Sequence, residues 1–219
     1  IGIKYLRSSA KKGVKAANFA MARLYEFGSE EAGIKQSDSL AVKNYKIAAR
    51  KGSKKAQQKL AEVYKDGLLG VNKNAKESFK WYLILAESGE TSAAFNVAYS
   101  YANGLGIEKS YEDAVIWYKM AAENGSSAAM NNLAVCYENG NGIEKNLETA
   151  FSLYFKSANS GSLVAANNLS ICYQYGTGTQ ENPIEALRWK EKVATGNNTN
   201  AQVTLAEWYF KGYGTERNH

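Results

Sequence analysis

Apolar and polar positions along the chain fall into a pattern that repeats. An alanine (Ala17, Ala56, Ala93, Ala129, Ala165, Ala201) is followed four residues on by a larger apolar side chain (Met21, Leu60, Val97, Leu133, Leu169, Leu205). The next residue is small again (Ala22, Ala61, Ala98, Ala134, Ser170, Ala206), and a tyrosine follows three residues later (Tyr25, Tyr64, Tyr101, Tyr137, Tyr173, Tyr209). Positions i, i+4, i+5 and i+8 share one side of a 3.6-residue helix. Small residues at two of them let a neighbouring helix approach closely, and the larger ones fill the gaps. The tyrosines lie 39, 37, 36, 36 and 36 residues apart. The first loop accounts for three extra residues and holds Glu30 and Glu31, at a turn where insertion is cheap.

Glycines punctuate the copies. One stands three residues after each tyrosine (Gly28, Gly67, Gly104, Gly140, Gly176, Gly212), the place of a left-handed helix stop. A second follows in the loop (Gly70, Gly106, Gly142, Gly178, Gly214), and then a residue able to cap the next helix: Ser37, Asn74, Ser110, Asn146 or Asn182. Glu77, Asp113 and Glu185 lie three residues beyond their caps, the spacing of a capping box. The sole proline, Pro183, follows the Asn182 cap directly, where its missing N–H costs nothing. A second helix carries Trp117-Tyr118, with cognates at Trp81-Tyr82, Leu153-Tyr154 and Trp189, and ends in glycine at Gly52, Gly89, Gly125, Gly161 and Gly196. Each copy is therefore helix–loop–helix, and the copies are expected to stack as an all-α solenoid.

The combined pattern, Ala-x3-Leu-Ala-x2-Tyr-x2-Gly-x-Gly-Ile, then an Asn or Ser cap and Ala-x2-Trp-Tyr-x2-Ala-Ala-x2-Gly, resembles the Sel1-like repeat, a relative of the tetratricopeptide repeat. The resemblance runs over essentially the whole chain. It implies a right-handed α-α superhelix and an adaptor that binds other proteins with no chemistry of its own. It also implies settings that range from membrane-complex adaptors in eukaryotes to exported bacterial proteins that meet host cells. The expectation leans to an exported or periplasmic bacterial protein whose signal peptide lies outside this segment.

By register, a single array fills the chain: 1–13 ends one copy, 14–52, 53–89, 90–125, 126–161 and 162–196 are full copies, and 197–219 begins another. Tyr5 matches Trp117, Gly13 matches Gly125, and Asn218 matches the cap Asn182. A stretch of a longer array is the expectation, with uncapped ends available for self-association through residues such as Trp208, Phe210 and Tyr213.

Composition narrows the chemistry. The 219 residues include one histidine, His219, which removes most nucleophilic triads and nearly every histidine-based metal site. Acidic residues form no recurring pair, so no catalysis, cofactor or metal is expected. The Gly-x-Gly loops lie between helices, without the strand that a dinucleotide site requires, and read as turns. Cys136 and Cys172 share a column in adjacent copies. Helix axes stand ~8–10 Å apart, beyond the Cα spacing of about 7 Å that a disulfide allows, so both read as small apolar fillers. No apolar run approaches the ~18–20 residues of a membrane-spanning helix.

Charge is polarised. The net +6 divides into +11 over residues 1–80 and −5 over residues 81–219. In tetratricopeptide-like arrays the first helices line a groove, and aligning the repeat on that pattern turns three columns toward it. These columns bring forward Asn96, Asn132 and Asn168, then Phe95, Asn131 and Asn167, and also Arg23 and Tyr99. A ladder of amides offers a donor and an acceptor to an extended peptide, and Phe95 with Tyr99 would anchor an apolar side chain. The competing reading is that the asparagines bond within their own array. Lys55 and Lys59 share a helix face with Arg23 nearby, and would receive an acidic or carboxylate-ended peptide; the competing reading is a solvated basic face. The function that follows is a non-catalytic scaffold binding a protein or peptide. The alternative is an RNA-binding repeat protein using the basic third, against which stand the acidic remainder and only five arginines.

Overall fold

The computed structural model describes residues 2–195 and 198–215. It is all-α, with repeated helix pairs. The Gly196 stop, the Asn218 cap match and His219 lie outside the described residues. Two compact units divide the chain, Ile1–Lys109 and Ser110–His219. The first holds α1 (Gly2–Lys11), α2 (Lys15–Phe27), α3 (Asp38–Arg50), α4 (Lys54–Asp66), α5 (Ala75–Glu87) and α6 (Thr91–Asn103). The second holds α7 (Tyr111–Glu123), α8 (Ser127–Asn139), α9 (Leu147–Asn159), α10 (Leu163–Tyr175), α11 (Pro183–Ala194) and α12 (Thr199–Lys211). Within each unit successive helices pack side by side.

The caps explain where helices begin. The side chains of Ser37, Asn74, Ser110, Asn146 and Asn182 accept from the backbone N–H of Leu40, Glu77, Asp113, Thr149 and Glu185. Each satisfies a donor that the first turn leaves free. Pro183 occupies the first helical turn after its cap. At the other ends, Gly67, Gly104, Gly140, Gly176 and Gly212 take left-handed conformation. Gly28 departs from this rule: its φ of 72° is paired with ψ of 167°. The longer first loop leaves α2 in an extended direction there, and Ser29 pairs with Ile34 across the insertion.

The core is built from the repeating columns. Ala22, Ala61, Ala98 and Ala134 are fully buried, as is Ser170 in the same column. The Ser170 hydroxyl donates to the Ala186 carbonyl at 2.8 Å, so the polar exception is satisfied. Second-helix tyrosines Tyr45, Tyr82, Tyr118 and Tyr154 form another buried column. The fifth place in that column belongs to Lys190, which is also buried.

The second loop glycine has a specific task in most copies. A Cβ on Gly106, Gly142, Gly178 or Gly214 would lie between 2.0 and 2.4 Å from the backbone of Ala75, Tyr111, Leu147 or Pro183. Each of those four is at the start of the previous second helix, so the loop is sealed onto that helix. In the loop after α4 the expected glycine, Gly70, meets nothing within 4 Å. That loop is one residue longer, and Leu69 stands at the sealing position with φ of 52°.

Candidate functional site

In the first unit, the last turn of α4, the helices α5 and α6 and the loops beside them line a cavity of about 640 Å³. Phe95, Asn96 and Tyr99 from α6 line it together with Tyr82 of α5 and Leu105 of the following loop. Residues 95 and 99 are one helical turn apart, and their rings lie 6.2 Å apart at 31°. Tyr99 is exposed at 46%. The polar part of the lining includes Lys65, Asp66 and Lys73. Asn96 donates its amide to the Ser92 carbonyl at 2.7 Å, within its own helix. Ser78 and Ser100 also donate to carbonyls, those of Ala61 and Asn96. Burial, and then the carboxylates of Glu62 and Asp66, push the Tyr82 phenol up to about 12. It therefore stays a neutral hydroxyl at physiological pH. The result is a mostly apolar pocket with an aromatic mouth.

Arg23, Lys55 and Lys59 line a smaller concavity of the same unit, together with Phe19, Glu26 and Glu62. Asn96 belongs to the α5–α6 cavity instead. Lys59 Nζ lies 2.5 Å from Glu26 Oε1, and the Tyr45 hydroxyl donates to Glu26 Oε2 at 2.5 Å. A buried carboxylate thus already holds the ammonium of Lys59, while Arg23 and Lys55 are exposed. Glu26 was not legible as a partner because it sits a full copy before Lys59. The trace it leaves is positional: Glu26 and Glu138 both follow a column tyrosine, and both accept from a buried second-helix tyrosine.

The remaining asparagines lie in the second unit, where three of them bond in a chain. Asn168 donates to Asn131 Oδ1 at 3.0 Å, Asn131 donates to Asn132 Oδ1 at 3.1 Å, and Asn132 donates to the Tyr118 hydroxyl at 3.0 Å. Asn167 Oδ1 accepts from Lys190 Nζ at 2.9 Å. Lys190 also lies over the Trp208 ring at 5.4 Å, and burial lowers its pKa. A lysine in the tyrosine column was missed by pattern reading, since the column reads as packing.

Cys136 and Cys172 are free and buried, and burial pushes both thiols up to about 11. Among the described residues no group of three or more His, Cys, Asp and Glu side chains could hold a metal ion. Nor is any described helix long and apolar enough to cross a membrane.

The model of the Sel1 repeat family matches residues 15–53, 54–90, 91–126, 127–162, 163–198 and 199–219. The chain is 35% identical over 104 residues to the chitin synthase regulator SKT5 of Saccharomyces cerevisiae, covering 46% of this chain and 14% of that protein. It is 34% identical over 91 residues to chitin synthase regulatory factor 2 of Schizosaccharomyces pombe, covering 41% of this chain and 18% of that protein. Among solved structures, a protective antigen of uropathogenic Escherichia coli with an SLR fold superposes with a TM-score of 0.87 at 26% identity. That match covers 100% of this chain and 46% of the antigen. A Sel1 repeat protein of Oxalobacter formigenes superposes with a TM-score of 0.79 at 31% identity, covering 94% and 81% of the two chains.

Proposed function

The chain belongs to the Sel1 repeat family, and from that premise we propose that it is a non-catalytic adaptor that holds a partner protein by a peptide segment entering the α5–α6 cavity. Sel1 repeat proteins are generally protein-interaction scaffolds. The observation that carries the finer reading is the pairing of Phe95 and Tyr99 at the mouth of a cavity that also contains Asn96. An apolar or aromatic side chain of the partner fills the pocket. The peptide backbone bonds to the Asn96 amide, and the hydroxyl of Tyr82 serves as a further donor. Lys65, Asp66 and Lys73 place both signs of charge in the lining, which suits a mixed peptide better than a phosphate chain. The relatives include an enzyme regulator and a protective antigen, so the proposal concerns the binding and not its setting.

Selection of randomised displayed peptides on the whole chain tests this reading. Non-acidic sequences sharing one aromatic or large aliphatic residue are expected from the wild type, and their loss from a folded Tyr99→Ala variant. Equal recovery from both proteins would overturn it. The RNA reading draws on the net +11 of residues 1–80; a mobility shift with single-stranded RNA that survives moderate salt would favour it instead.

A further inference from the structure

The unsealed loop after α4 leaves space beside α3. Four other loops close on the first turn of a preceding helix through a glycine that has no room for a Cβ. Here Gly67-Leu68-Leu69-Gly70 replaces the Gly104-Leu105-Gly106 spacing, and Leu69 is the one non-glycine with positive φ among the described residues. Such a conformation costs an L-residue about 1–2 kcal/mol, and strain of this kind persists where the surroundings impose it. Between this loop and α3 lies a cavity of about 700 Å³.

Its chemistry is two-sided. Val42, Ile47 and Leu69 supply apolar lining, while Lys43, Lys46 and Arg50 follow one another along the same face of α3. Asp38 is the only acid among the lining residues. None of the three cations forms an ion pair among the described residues. Lys46 Nζ lies 5.7 Å from the centre of the Tyr64 ring. The cavity shares no residue with the α5–α6 cavity.

We propose that this α3 cavity is a second docking site, one that takes an acidic peptide segment bearing an apolar side chain between its carboxylates. The apolar side chain enters against Val42, Ile47 and Leu69, and the carboxylates meet Lys43, Lys46 and Arg50. Charge complementarity selects this occupant, since three cations face a single carboxylate in a region that is itself strongly basic. The extra loop residue keeps the site open. The inference goes beyond the α5–α6 reading and does not depend on it.

Deletion of Leu69 restores the Gly-x-Gly spacing and should let Gly70 seal the loop onto α3. Randomised displayed peptides are selected at low salt on the whole wild-type chain, on the Leu69 deletion and on a Lys43→Glu/Arg50→Glu variant. Wild type should yield acidic-apolar sequences that both altered proteins lose, with affinities at least about tenfold weaker. Those sequences should persist on Tyr99→Ala, which separates this site from the α5–α6 cavity. The deletion should also raise the melting temperature, showing that loss of binding is not loss of fold. Recovery of the same acidic peptides from the deletion, no acidic enrichment on wild type, or displacement of the peptides by single-stranded RNA at equal affinity would each overturn the proposal.

Discussion

The side-chain amide of Asn168 donates to Asn131 Oδ1 at 3.0 Å, joining first helices of successive copies in the second unit. Asn131 is buried, and it passes the chain of bonds on to Asn132 and so to Tyr118. Removing it leaves donors and acceptors of both neighbours unpaired. Asn131→Ala should therefore cost about 1–3 kcal/mol of stability, read as a shift in the urea midpoint. Asn96→Ala, whose amide bonds within its own helix turn, should leave the midpoint nearly unchanged. Equal losses for the two would show that these asparagines share one role.

The loop glycines should divide sharply. Gly106→Ala would place a Cβ 2.3 Å from the Ala75 carbonyl carbon, and neither backbone can yield cheaply. A loss of about 2–3 kcal/mol is expected, as for an overpacked core. Gly70→Ala meets open space and carries only the conformational cost of its φ of 66°, about 1–2 kcal/mol. Thermal or chemical denaturation of the two variants checks the order.

Stability should decline in alkali. Tyr45 and Tyr154 donate to Glu26 and Glu138, and burial, then the accepting carboxylates, raise both phenols above their ordinary 10.0. A pKa raised by folding contributes its full stability below the unfolded value. That contribution falls as pH rises through the folded value, because the unfolded chain releases its protons first. The urea midpoint should drop above pH 10, where the unfolded phenols titrate. Tyr45→Phe and Tyr154→Phe should each lower the midpoint at neutral pH and shrink the alkaline drop. A midpoint that is flat across this range contradicts the assignment.

Both thiols should resist reagents in the native state. Cys136 and Cys172 are buried and shifted up to about 11, so little thiolate forms near neutral pH. Labelling by an aromatic disulfide should be slow until urea opens the fold, then stoichiometric for both. Rapid labelling of either in buffer alone would contradict the burial.

Helices, caps and stops were legible because each depends on residues close in sequence. Ser37 or Asn182 needs only the N–H three residues on, and Ala61 shows its burial by its place in a period. The sealing loop was legible only in part: Gly70 looks like its cognates, and one inserted residue moves Leu69 into their place. Contacts between copies were harder still. Lys59 reads as a free cation until Glu26, a full copy away, comes within 2.5 Å. Lys190 falls in a column that reads as tyrosine packing, and only the fold shows that a lysine is buried there. Phe95, Asn96 and Tyr99 were found together because they share one helix face. Tyr82, Lys65, Asp66, Lys73 and Leu105 joined them only through packing.

Calorimetric titration of the best non-acidic, aromatic-bearing peptide selected on wild type into wild-type, Asn96→Ala and Tyr99→Ala proteins tests the central claim most directly. A peptide seated in the α5–α6 cavity should lose about 2 kcal/mol, roughly thirtyfold in affinity, on Tyr99→Ala. It should lose a smaller amount on Asn96→Ala, with both variants keeping the wild-type melting temperature. Unchanged affinity in a folded Tyr99→Ala protein would place the binding surface elsewhere and contradict the account.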